Sequence, residues 1–168
     1  SRWERKLFNY LMRLTGNRED ALDLSQEAFF KAYQGLRTLE EAEKFTPWLY
    51  RFAHNLALSK FRSDSRRAGE EGAGLPAAGP SLGMRSGRRL FPLELELIVE
   101  RALEELPAEQ RQVILLKVHH GFKFAEIAQI LSCPVSTVKS RVYAGLEQLK
   151  KSLAEDVGIR GAFQAIRE

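Results

Sequence analysis

Apolar residues recur along this chain at spacings of three and four, the period of a helix with one buried face, and nowhere in the sustained alternation of a strand. Trp3, Leu7, Leu11 and Leu14 share one face of a first helix expected over about residues 2–15, with Gly16 and Asn17 ending it. Asn17 also stands where it would cap a second helix, with Glu19 and Asp20 complementing the dipole of its first turn. That helix runs to about Leu36. Ala21, Leu24, Ala28, Ala32 and Leu36 form its core face and leave Asp20, Asp23, Glu27, Phe30 and Gln34 on another side. A third helix is expected to open with Thr46 as cap and Pro47 at its first position, where a missing N–H costs nothing. It buries Leu49, Phe52, Ala53 and Leu56 and turns Arg51, Asn55, Ser59 and Arg62 outward.

Between residues 64 and 92 the period stops. Gly69, Gly72, Gly74, Pro76, Gly79, Pro80, Gly83 and Gly87 interrupt any repeat that regular structure needs, so the segment reads as a linker. Beyond it, a helix over residues 93–105 carries Leu93, Leu97, Val99, Ala102 and Leu103 and stops at Leu106 and Pro107. Pro107 starts the next, whose apolar run at residues 113–118 is closed by Gly121. Two more helices, Phe124 to Leu131 and Ser136 to about Leu153, are separated only by Ser132, Cys133, Pro134 and Val135. A break that short between amphipathic helices signals a helix-turn-helix. The expected fold is all-α, with two small helical domains at 1–63 and 93–153 joined by a flexible linker at 64–92, the second containing the helix-turn-helix. Residues 154–168 form a tail whose state is left open. The glycine and proline content of the linker predicts no fixed angle between the halves.

Composition sharpens this only slightly. Among 168 residues, 26 Lys+Arg against 22 Asp+Glu give a formal charge of +4, which permits an acidic or nucleic-acid partner without demanding one. No apolar run approaches the ~18 residues that cross a bilayer, and the first residues lack the apolar stretch of a signal peptide, so no membrane insertion and a cytoplasmic location are expected. A start at Ser1 rather than Met is what a trimmed chain shows. Cys133 is the single cysteine, which excludes an internal disulfide and suits a reducing compartment. His54, His119 and His120 have no partners at metal-ligand spacing, no glycine-rich loop follows a strand, and Cys133 has no cue for activation. No metal, cofactor or catalytic residue is expected, and the protein is read as a non-enzyme.

The informative charge lies on the last helix. Ser136 is placed to cap it, and Thr137, Lys139, Ser140, Arg141 and Tyr143 crowd its N-terminal turns, the part of a recognition helix that enters a major groove. Lys139 and Arg141 suit guanine edges or phosphates. A plain helical hairpin with a solvated basic face is the competing reading.

Longer strings of residues resemble a known family. Leu103-Glu104-Glu105-Leu106-Pro107, Gln110-Arg111, Ile114-Leu115-Leu116, Ala125-Glu126-Ile127-Ala128 and Ser136-Thr137-Val138-Lys139-Ser140-Arg141 resemble region 4 of bacterial extracytoplasmic-function (group IV) sigma factors. Glu19-Asp20-Ala21, Asp23, Gln26-Glu27-Ala28-Phe29, Ala32-Tyr33, Phe45, Trp48-Leu49-Tyr50-Arg51 and Asn55-Leu56-Ala57 resemble region 2 of the same family. The resemblance implies a subunit that binds core RNA polymerase and directs it to promoters. It implies core binding through Asp20, Asp23, Gln26, Glu27, Phe30 and Lys31 on the second helix. It implies capture of unpaired minus-ten bases by the segment from Leu36 to Thr46 and the third helix, through Arg37, Lys44, Arg51, Asn55, Ser59, Lys60 and Arg62, with Arg66 and Arg67 extending the track. Duplex minus-thirty-five DNA would meet Ser136, Thr137, Lys139, Ser140, Arg141 and Tyr143, with Lys150 and Lys151 on the backbone. An anti-sigma factor is the further partner implied. Trp48 reads more as core than as a base stacker, and Tyr50 is open to either role. Gly145 departs from the pattern, standing where members often carry a basic or larger residue, and it weakens the expectation of DNA contacts at that end of the helix. An operator-binding regulator using the helix-turn-helix alone, with a sensing or dimerising N-terminal domain, is the runner-up; it would bind duplex DNA unaided. A protein-binding adaptor, the third reading, would show no DNA dependence.

Overall fold

A computed structural model of the chain describes residues 2–69 and 93–155, and within them the regular structure is helical throughout. In the first half α1 spans Arg2–Thr15, α2 Arg18–Gly35 and α3 Phe45–Ala68. In the second, α4 spans Leu93–Glu104, α5 Ala108–Ile114, α6 Phe124–Leu131 and α7 Val135–Glu155.

Local chemistry accounts for most of these boundaries. The Asn17 side chain accepts hydrogen bonds from the backbone N–H groups of Glu19 and Asp20 at 2.8 and 3.2 Å, so it caps α2. The buried face of α2 is Ala21, Leu24, Ser25, Ala28 and Ala32, small residues that let α1 and α3 approach closely. Leu36 is not part of it. The helix ends at Gly35, a tight 3-10 turn over Leu36–Thr38 swings the chain aside, and Leu36 is left 49% exposed. A second tight turn, Ala42–Lys44, leads into α3, which therefore opens at Phe45; Thr46 and Pro47 lie inside its first turn rather than at the cap and first position. At its far end α3 runs five residues past the change in composition, through Arg66 and Arg67 to Ala68. Gly69 stops it in the left-handed region at φ +77°, with its N–H donating to the Arg66 carbonyl.

In the second half, the apolar run after α5 widens into a π-type turn, Leu115–His119, in which the His120 N–H donates to the Leu115 carbonyl at 3.1 Å. The wider turn keeps Leu116 buried and leaves Val118 70% exposed. The Glu126 carboxylate accepts the Lys123 N–H at 2.7 Å and fixes the start of α6. Ser132, at φ +52°, ends it. The Val138 N–H then donates to the Pro134 carbonyl, so α7 opens at Val135 and Ser136 sits within the first turn instead of capping it. Ile127, Ile130, Val138 and Val142 are buried where α6 and α7 interlock.

The two halves are docked on each other, contrary to the free angle expected from the linker. α3 packs along α6, and buried side chains from both halves form one continuous core. Leu7, Leu11 and Leu49 on one side and Val113, Leu116 and Ile127 on the other are fully buried, each contributing about 1.5–3 kcal/mol of hydrophobic stabilisation. Residues 70–92, most of the expected linker, and 156–168, nearly all of the expected tail, lie outside the described residues.

Candidate nucleic-acid interface

The segment joining α2 to α3 and the first two turns of α3 enclose a cleft of about 210 Å³ lined by Thr38, Leu39, Glu40, Glu41, Lys44, Pro47, Trp48 and Arg51, with Gln129 of α6 at its rim. Trp48 is half-buried, and its indole has two sides to its role. One packs over Gly35, where an added Cβ would stand only 3.0 Å from the ring, and against Phe52 at 4.7 Å between centroids; the other forms the cleft wall. An aromatic wall beside a guanidinium and an ammonium is what stacking of an extruded base and neutralisation of its phosphates require. Glu41 takes the Lys44 ammonium at 2.7 Å, and that hydrogen bond raises the lysine pKa above its ordinary value.

Of the residues implied for single-strand capture, Lys44 and Arg51 line this cleft. Asn55, Ser59 and Arg62 continue from Arg51 along the exposed side of α3, one helical turn apart. Arg37 is exposed in the tight turn after α2. Lys60 is turned elsewhere: its ammonium bridges Asp20 and Asp64, 3.2 Å from each, and hydrogen bonds to both carboxylates raise its pKa. It ties α2 to α3 instead of extending the basic strip.

On α2, Asp23, Gln26, Glu27, Phe30 and Lys31 are exposed, with Lys31 3.5 Å from Glu27, while Asp20 is half-buried against Lys60. Phe30 is 60% exposed and Tyr33, one turn later, 78%. Tyr33 completes an exposed aromatic pair on this surface. Its three-residue spacing from Phe30 is the signal in the sequence that marks it.

On α7, Ser136, Lys139, Ser140 and Tyr143 are exposed, and Thr137 and Arg141 are half-buried. Lys139 lies over the Phe124 ring at 5.8 Å, and Lys117 lies over the same ring at 4.7 Å while donating to the Phe122 carbonyl. Sequence order separates these lysines; the ring brings them together. Arg141 Nη2 pairs with Glu109 Oε2 of α5 at 2.9 Å. Gly145 does not belong to this face at all. It is buried against α5, where an added Cβ would meet Ile114 Cδ1 at 2.5 Å, so its missing side chain serves helix packing and says nothing about DNA contacts.

Between the halves lies a buried polar seam. Gln112 Nε2 donates to Tyr10 Oη at 3.1 Å and to His54 Nδ1 at 2.9 Å, and Tyr10 Oη lies 3.3 Å from the same nitrogen. With Gln112 donating to it, Nδ1 accepts and His54 is neutral with its proton on Nε2. Burial pushes the His54 pKa down to about 4 and raises that of Tyr10 above its ordinary value. Tyr50 is buried here, with its hydroxyl 3.1 Å from His120 Nδ1 and its ring 4.9 Å from Phe122, which makes it an inter-half contact in the docked chain. Burial first, and then the charges of His119, when protonated, and of Lys6 and Arg13 beside it, hold His120 at about 4 as well. Among the described residues no group of His, Cys, Asp and Glu is arranged to hold a metal, and no helix is long and apolar enough to cross a membrane.

Comparison with known proteins aligns with this geometry. Residues 1–67 match the Sigma-70 region 2 family and residues 96–149 the Sigma-70, region 4 family. The chain is 34% identical over 157 residues to the ECF RNA polymerase sigma factor SigW of Bacillus subtilis, covering 89% of this chain and 84% of that protein. It is 34% identical over 137 residues to the ECF RNA polymerase sigma-E factor of Escherichia coli, covering 77% of this chain and 72% of that one. Among solved structures, the sigma factor RpoE in complex with the anti-sigma factor NepR, from Bartonella quintana, superposes with a TM-score of 0.69 at 25% identity, covering 92% of this chain and 93% of that chain.

Proposed function

This chain belongs to the extracytoplasmic-function sigma factors of bacterial RNA polymerase, and we propose a division of its work between two halves that the docked structure holds together. As a sigma factor it binds core polymerase and directs promoter-specific initiation at minus-ten and minus-thirty-five elements. Residues 1–69, through the end of α3, form the half that grips core polymerase and melts the promoter, 93–153 the half that reads duplex DNA, and 70–92 connect them. Asp23, Gln26, Glu27, Phe30 and Lys31 face the polymerase, joined by Tyr33, with Asp20 shaping that surface through Lys60. Lys44, Arg51, Asn55, Ser59 and Arg62, with Arg37 nearby, hold the unpaired strand, Trp48 supplying the stacking wall. Ser136, Thr137, Lys139, Ser140, Arg141 and Tyr143 read the duplex. The protein is a non-catalytic subunit that works in the cytoplasm. It is held inactive by an anti-sigma factor, a reading supported by the likeness to a sigma factor solved with such a partner.

The observation that carries this reading is the pairing, in one chain, of an aromatic-walled cleft on α3 that Lys44 and Arg51 line together with Glu40 and Glu41, with an exposed recognition helix on α7, each inside the matching sigma region. Reconstituted run-off transcription with core enzyme on a promoter library tests it. The expected result is initiation at a defined promoter class only when the chain is present. An operator-binding regulator would instead bind duplex DNA specifically without polymerase and support no run-off product.

A further inference from the structure

The Arg141 side chain leaves α7 on the flank that faces α5, beside the buried line of Val138, Val142 and Gly145 and away from the middle of the exposed face formed by Ser136, Ser140 and Tyr143. A long, flexible side chain starting there has many directions open to it. Glu109, in the first turn of α5, removes most of them: its Oε2 accepts from Arg141 Nη2 at 2.9 Å, with the arginine side chain 29% and the glutamate side chain 62% exposed. The pair therefore sits at the rim of the recognition surface, neither sealed in the core nor loose in solvent. Its footing is rigid. Gly145 lets α5 and α7 close until Ile114 and Gln110 fill the space a side chain there would need, so the carboxylate is delivered to a set place relative to the recognition helix. A guanidinium presents five N–H donors in a fixed planar fork, and a carboxylate taking one at Nη2 leaves the Nη1 hydrogens and the second Nη2 hydrogen as donors for an external acceptor pair such as the O6 and N7 edge of guanine.

We propose that Glu109 is a positioning residue for promoter reading, one that orients the Arg141 guanidinium so that it discriminates a base pair of the duplex element and does not merely attach to phosphate. The proposal rests on the reading of α7 as the duplex-reading helix. It goes beyond that reading by assigning a sequence-discriminating role to a residue of a different helix, an acidic one that a DNA-binding surface would ordinarily disfavour.

The test uses the full chain assembled with core polymerase and measures affinity for duplex promoters in which each base pair of the minus-thirty-five element is varied, at two salt concentrations. The variants are Glu109→Gln, Glu109→Ala, Arg141→Ala and the double substitution Glu109→Ala with Arg141→Ala. A guanidinium reading a base edge discriminates by roughly ten- to a hundredfold. Arg141→Ala is expected to lose that discrimination at one base pair, and Glu109→Ala to lose about fivefold or more at the same base pair. The double variant should be no worse than Arg141→Ala alone, and the salt dependence of the Glu109 variants should stay that of the wild type. Glu109→Gln, which retains an acceptor oxygen but not the charge, should fall between. A purely structural role would lower the melting temperature and leave base preference intact, and that result overturns the proposal. So does uniformly tighter binding to every sequence, the mark of a carboxylate that only repels phosphate, or losses that add in the double variant. If the wild-type holoenzyme is itself indifferent to the minus-thirty-five sequence, the assignment of α7 fails together with the proposal; a discriminating wild type with unchanged Glu109 variants sinks the proposal alone.

Discussion

His54 is the residue at which the stability of the docked form meets pH. Its pKa in the folded chain, about 4, lies below the ordinary 6.5 because the ring is buried between Tyr10 and Gln112. The unfolded chain therefore takes up the proton first. Stabilisation from the neutral ring is complete above pH 6.5, declines as the pH falls from there toward 4, and is gone below that, amounting to ~3 kcal/mol for a shift of this size. Urea denaturation followed from pH 7 to pH 4 should show this loss together with one of similar size from His120, so His54→Gln should remove roughly half of the combined decline. Gly145 gives a second expectation with an unusual sign. Alanine improves helix propensity by about 1 kcal/mol, yet the new methyl must displace Ile114 in a well-packed interface, at ~1–3 kcal/mol. Gly145→Ala should lower the melting temperature, and adding Ile114→Val, which removes the obstructing Cδ1, should restore it. A glycine in a helix pattern is legible as a departure from the rule, but its cause is Ile114, thirty-one residues earlier in the chain, which no local pattern encodes.

At the scale of elements, the helices whose ends are decided by their own side chains were legible. Asn17 starts α2 because its side-chain Oδ1 accepts from two free N–H groups, and Asn17→Ala should cost about 1 kcal/mol in thermal or urea unfolding with the fold intact. α6 falls where the pattern puts it, and α7 begins one residue earlier than its expected cap. The discrepancies share a cause. The start of α3 moved because a tight turn at Ala42–Lys44 feeds Phe45 into the helix, and Phe45 is anchored by contacts to Trp3 and Trp48 that belong to other turns of the structure. The wide turn at Leu115–His119 has no periodic signature, since apolar residues at successive positions fit an α turn as well as a π turn. Lys60 reads as one more cation on a basic helix until α2 is laid beside it and Asp20 claims it.

The whole molecule poses a conflict between its docked form and its work. Elements named for positions ten and thirty-five base pairs upstream of the start site lie roughly 85 Å apart along duplex DNA at 3.4 Å per base pair. A compact body of about 130 residues has a radius of gyration near ~14 Å, far too small to touch both. With one element assigned to each half, as proposed, the halves part on a promoter, which breaks the Tyr10–His54–Gln112 seam, lifts α6 from α3 and removes Gln129 from the lining of the α3 cleft. Fluorescent labels at exposed Arg5 and Arg101, introduced as cysteines with Cys133→Ser, should transfer energy efficiently in the free chain and lose that transfer when holoenzyme assembles on promoter DNA. Gln112→Ala, which strips a donor from both Tyr10 and His54, should weaken transfer in the free chain. Unchanged transfer on the promoter would mean that the halves stay docked as they read it.

The sequence by itself determined the helical class, the order of the helices and the two sigma regions, because helix periodicity, capping and family motifs are properties of neighbours along the chain. Tertiary structure alone decided that the halves dock, that Tyr50 and His54 belong to a buried seam, that Lys60 serves α2, that Gly145 serves α5 and that Glu109 holds Arg141. Each of those depends on a partner distant in sequence, and which partner arrives is set by how whole faces pack, not by any spacing along one helix.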